Sequence, residues 1–176
     1  MSSREEIKSR SYKAARLAVL GALAVALTAL EYMLPIEAVV PVPGFKLGLA
    51  NIAVLFAVRN EGFFASLGIT AVKVAASALV AGTPVSFLFS LCGSVSAFLI
   101  TYLLHRLLKD KVGCLGLGVA GAFFHNTAQV AVAAMMLGGY AFSYLPFLAA
   151  AAVISGVLTG ITAAAALFAL EKAKKS

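Results

Sequence analysis

Two lysines stand where apolar sequence leaves little room for charge. Lys73 lies near the middle of the apolar run at residues 62–81, and Lys46 heads the run at residues 47–58. A cation at the centre of a bilayer costs about 2.5–3.5 kcal/mol on insertion scales, so Lys73 has to face a partner, a cavity or a ligand. Thr70 and Ser77, at i−3 and i+4 from it, extend it into a polar stripe. A second polar group, His125, Asn126 and Gln129, interrupts the run at residues 113–137 at about the same depth. Two such groups at one depth predict a single enclosed site that binds a ligand. The competing reading is a structural tie between helices, such as Lys73 with Glu31.

The segment Pro41-Val-Pro-Gly-Phe-Lys46-Leu-Gly-Leu-Ala-Asn51 supplies a third element. Gly44 permits an unusual turn, after which a helix begins with free N–H groups and its positive dipole end. Lys46 adds a full charge there, a combination suited to a carboxylate or a phosphate. The alternative for Lys46 is a side chain that snorkels to the interface. Asn51, one turn deeper, is placed to hydrogen-bond a ligand, and an unpaired amide in lipid is costly. Glu31 and Glu37 flank this loop, either as ion partners of Lys46 or Lys73 or as solvated carboxylates.

What is missing limits the chemistry. The one aspartate, Asp110, stands beside lysines in a short connection. No pair of Asp-rich motifs is present to hold magnesium against a diphosphate, so carboxylate–metal prenyl condensation has no support. Gly44-Phe-Lys46 lacks the Gly-rich run and the Lys-Ser/Thr pair of a P-loop. His105 and His125 lie at different depths and make a poor metal site. Cys92 and Cys114 lack metal or CxxC spacing and read as buried apolar residues. The expectation is a protein that is not an enzyme, with no cofactor and no metal.

The elements that must position these residues follow from composition. Of 176 residues, 62% are hydrophobic and 12% charged, against about 45–50% and about 25% in soluble domains. The natural solvent is lipid, and at about 20 residues per span roughly six helices fit. Approximate spans are residues 12–34, 46–60, 62–81, 85–108, 113–137 and 142–170, a single all-α membrane domain with no folded soluble part. The second is only about 12 apolar residues, or about 18 Å of helix. It crosses a core of about 30 Å only if Lys46 and Arg59 snorkel or the preceding loop dips inward. The first run is longer than a secretory h-region and lacks a cleavage site, so a cleavable signal peptide is not expected.

The net charge of +7 is a topology signal rather than a nucleic-acid one. With six spans, all but Lys46 and Lys73 of the 14 Lys and Arg residues fall on the side of the termini, which the positive-inside rule makes cytoplasmic. Anionic lipid headgroups are the expected partner of that face. Small residues form stripes suited to close helix contact. Ala14, Ala18, Ala22 and Ala26 repeat at i, i+4 on the first span, Ala152, Gly156, Gly160 and Ala164 on the sixth, and Ser86, Ser90 and Ser94 on the fourth. These stripes either pack the bundle or, for the first-span ladder, dock a separate membrane subunit.

At Pro43-Gly-Phe-Lys-Leu-Gly-Leu-Ala-Asn51 and Phe124-His-Asn-Thr-Ala-Gln129 the chain resembles a bacterial family over nearly its whole length. The family is that of heptaprenyl diphosphate synthase component I, also called the Gx transporter family. Phe45 and Thr127 depart from an aliphatic and a small residue expected there, and neither touches a polar member. The family is similar in fold to the substrate-binding S components of energy-coupling-factor (ECF) transporters. That resemblance implies six helices, a first outer loop that lids the ligand, and an alanine ladder on the first helix for docking a coupling subunit. It also implies a link to polyprenyl diphosphate, quinone or vitamin metabolism and a multi-pass place in the bacterial inner membrane.

The expected function is binding and uptake of a small, anionic or amphipathic organic molecule. Lys46, Asn51, Lys73, His125, Asn126, Gln129 and Glu31 are the expected substrate-binding residues. Expected partners are that molecule and an ECF-type transmembrane and ATPase module, not nucleic acid. The alternative is a non-catalytic membrane subunit of a soluble polyprenyl diphosphate synthase.

Overall fold

A computed structural model describes residues 3–34 and 46–175. The predicted loop breakers Pro41, Pro43 and Gly44, with Glu37 and Phe45, lie outside the described residues. The described chain is all-helical: α1 (Ser3–Met33), α2 (Asn51–Asn60), α3 (Phe63–Ala81), α4 (Pro84–Leu108), α5 (Cys114–Leu137) and α6 (Leu145–Lys175). Short 3₁₀ turns, Lys109–Lys111 and Gly139–Tyr144, precede α5 and α6.

Helix ends follow local chemistry. Gly82, at φ 64°, closes α3 in the left-handed conformation that glycine tolerates. Thr83 then caps α4, its Oγ1 accepting from the Ser86 N–H at 3.3 Å, with Pro84 in the first turn. α1 starts nine residues before the predicted span, because Glu5 and Glu6 suit a first helical turn. α6 begins at Leu145 rather than residue 142 and runs on to Lys175.

Among the described residues, four segments are long and apolar enough to cross a membrane on their own: Arg10–Met33, Phe63–Ala81, Pro84–Leu108 and Gly139–Ala173. The chain is therefore built as a multi-pass membrane protein. The other two helices depart from the six-span expectation for identifiable reasons. α5 has 24 residues but carries His125, Asn126 and Gln129, which dilute its apolar character. α2 has only 10 residues and packs against each of the other five helices. Its Ile52, Ala53, Val54, Leu55, Ala57 and Val58 are all buried. A short helix wrapped in protein has no need to match the bilayer by itself.

The two longest small-residue stripes meet different fates. Gly156 and Gly160 of α6 face Gly118 of α5 so closely that a Cβ on Gly156 would lie 2.5 Å from the Val119 Cα. That approach gains dispersion contact along two backbones. Ala14, Ala18, Ala22 and Ala26 are instead all exposed. α1 turns its other face inward, burying Leu20, Ala24, Thr28 and Glu31. Packing within this bundle is thus not the use of the alanine ladder. Beneath α1, Phe63, Phe98 and Tyr102 form an aromatic cluster with centroids 5.0–6.0 Å apart.

Candidate ligand site

The break ahead of α2 organises the site. Residues 46–50 are not helical, and Gly48 adopts φ 80°, a conformation that side chains rarely take. Irregular backbone at membrane depth has to find its hydrogen bonds inside the protein. The Gly48 N–H donates to Glu31 Oε1 of α1. The Lys46 N–H donates to Gln129 Oε1 of α5 at 3.4 Å. Glu31 and Gln129 thus hold the broken segment from opposite sides. This corrects the expectation for Lys46: α2 starts at Asn51, so Lys46 stands outside the first turn and does not reinforce a helix N-terminus.

Neither lysine snorkels. Lys46 is 5% exposed and Lys73 2%. Lys73 Nζ donates to Asn51 Oδ1 at 2.6 Å. Lys46 Nζ donates to Ser77 Oγ and sits 4.3 Å from the centroid of the Tyr32 ring, a cation–π contact. Tyr32 completes the group with a 2.8 Å hydrogen bond between its hydroxyl and Ser77 Oγ. Ion pairs among the described residues are Arg10–Glu6 and Arg16–Glu61. Glu31 and Lys73 thus form no direct salt bridge, the example of a structural tie, although Lys73 does link α3 to α2 through Asn51. Two ammonium groups and one carboxylate leave this interior with a formal surplus of one positive charge.

His125 closes the far wall. Its ring fits between two glycines: a Cβ on Gly93 of α4 would lie 2.7 Å from it, and one on Gly48 3.3 Å. The Gly48 position would also press Asn51 Nδ2 at 2.6 Å. Residue type and spacing alone do not single out Gly93, Gly48 and Tyr32. Gly48 stands inside the 43–51 motif and Tyr32 beside Glu31, whereas nothing local to α4 marks Gly93.

Several buried polar atoms of these helices have no protein partner. Asn51 Nδ2, both ring nitrogens of His125, Gln129 Nε2, Ser90 Oγ and Ser94 Oγ are buried without a hydrogen bond. Buried polar groups in native proteins are almost always paired, so a cluster of unpaired ones marks a place for something else. Two predicted members are arranged differently. Asn126 turns to α6, donating to the Leu148 carbonyl at 3.1 Å, and ties α5 to α6. Thr70 satisfies itself on the Ser66 carbonyl of its own helix at 2.8 Å.

A helical bundle with buried charged groups and unpaired polar ones in its interior defines a polytopic membrane protein with a buried polar site. Its family is shown by a match to the model for heptaprenyl diphosphate synthase component I over residues 20–166. The chain belongs to that family. No curated protein and no solved structure matches it.

Proposed function

We propose that this protein binds a small, anionic or amphipathic organic molecule in the interior of the bundle and serves its uptake across the bacterial inner membrane. The observation that carries the proposal is the set of unpaired buried polar atoms on Asn51, His125 and Gln129 beside two buried lysines. The surplus positive charge selects for an acidic group, and the mixed donors and acceptors suit an oxygen-bearing body. Irregular backbone leading into a helix at the site is a recurrent way for membrane proteins to line such a pocket. Lys46, Asn51, Lys73, His125, Gln129 and Glu31 form it, while Asn126 fixes the helix that carries two of them.

In this reading the chain passes the membrane six times with both termini cytoplasmic. The exposed ladder Ala14-Ala18-Ala22-Ala26 is where a membrane subunit of an ATP-driven module docks. The chain has no catalytic role. Incubating the purified protein with isopentenyl diphosphate, an allylic prenyl diphosphate primer and magnesium tests this directly: no chain elongation is expected, and product formation overturns the proposal.

The family description favours a second reading, a non-catalytic membrane subunit of a prenyl diphosphate synthase. Co-purification with a soluble prenyl synthase, with no small molecule retained, is the result that supports it over uptake.

A further inference from the structure

A second polar cavity lies away from the interior site, where α2 ends and α3 begins beside the last turn of α4. It encloses about 270 Å³ and is lined by Arg59, Asn60, Tyr102, His105, Arg106 and Lys109. Three of these carry fixed positive charge. Arg59 Nη1 is buried without a hydrogen-bond partner. The neighbouring carboxylate does not neutralise it, because Glu61 is held by Arg16. Lys109 ends α4 at φ 47° and ψ −121°, a conformation that a non-glycine residue holds only when its surroundings impose it. α3 starts at the same cavity with Gly62 as its cap and no side-chain cap hydrogen bond.

We infer that this cavity is an anion site for a phosphate- or diphosphate-bearing group. Arginine forks match phosphate oxygens in pairs, which explains two arginines here better than a general need for positive charge at a membrane face. The volume is well above the roughly 30 Å³ share of one water. It is slightly below the about 300–1,000 Å³ typical of ligand pockets, so a headgroup fits and a large ligand does not. The position at helix ends gives two sources for that chemistry, an anionic phospholipid headgroup or a free phosphate-bearing molecule.

The test uses the full chain in lipid nanodiscs and inorganic pyrophosphate as the probe, followed by calorimetry. In phosphatidylcholine discs the wild type is expected to bind pyrophosphate, and Arg59→Gln and Arg106→Gln to bind it about tenfold more weakly or not at all. Lys109→Gln, at an exposed position, is the variant that keeps the test valid if Arg59→Gln fails to fold. Repeating the titration in discs containing phosphatidylglycerol separates the sources. Lost pyrophosphate binding there, or phosphatidylglycerol retained in an arginine-dependent way by native mass spectrometry, assigns the site to a lipid headgroup. Unchanged binding assigns it to a free phosphate compound. Pyrophosphate binding and phosphatidylglycerol retention both equal in wild type, Arg106→Gln and Lys109→Gln overturn the inference.

Discussion

The interior and the terminal end of this bundle both concentrate cations, and they treat them oppositely. Lys46 and Lys73 are almost sealed from solvent, and each ammonium donates to a neutral oxygen, on Ser77 and Asn51 respectively. Arg106 and Lys109 are exposed at the rim of an open cavity, with Arg59 half-buried behind them. Cations at helix ends are for the most part solvated by water and lipid headgroups, with the buried Nη1 of Arg59 the exception. Cations in the interior require a special arrangement, and here it includes a non-helical segment ahead of α2, a carboxylate turned to the backbone and two glycines that admit an imidazole. The interior is the specialised region.

Removing one interior cation is the strongest way to break this contrast. Lys73→Ala deletes the donor to Asn51 and the surplus positive charge together. Retention of the bound molecule is expected to fall on the order of 100-fold, the scale of a lost hydrogen bond to a charged group. Equilibrium binding on purified wild type and variant, with circular dichroism to confirm the helices, checks it. A smaller effect comes from the wall. Gly93→Ala places a methyl in the space of the His125 ring and is expected to weaken binding about tenfold, the loss for about 1.4 kcal/mol. Gly68→Ala, whose Cβ meets nothing within 4 Å, is the control and leaves affinity unchanged.

Changes at the terminal end sharpen the contrast by doing little to the interior. Arg106→Gln shares no partner with the interior cluster, so interior affinity is expected to stay within about twofold, as for independent sites. Smallest of all is Arg10→Ala. The Arg10–Glu6 pair is exposed, with side chains 81% and 53% accessible. Such helical i, i+4 pairs contribute about 0.3–0.5 kcal/mol, so thermal melting in detergent should barely move.

Much of this molecule was legible in the sequence, and the parts that were not share a cause. Single mid-membrane polar residues cannot be ignored in lipid, so Lys73, His125 and Gln129 stood out and the fold brings them to one region. Helix boundaries at Gly82-Thr83-Pro84 were equally plain. Periodicity could not tell which neighbour a side chain would choose. Asn126 is as polar as His125 but sits one position round the helix and meets α6 instead. The two small-residue stripes have the same spacing, yet one packs and one is exposed, since the pattern marks a smooth face without naming its partner. A local rule misplaces Lys46, because Gly48 takes a left-handed conformation and the helix starts only at Asn51.

The central claim, that the interior polar cluster holds a small molecule, is tested most directly by mass spectrometry of the protein extracted gently in mild detergent. The wild type is predicted to release one small organic species in near-stoichiometric amount, and folded Lys73→Ala to release little or none. Equal release from both proteins, or none from a folded wild type, contradicts the account.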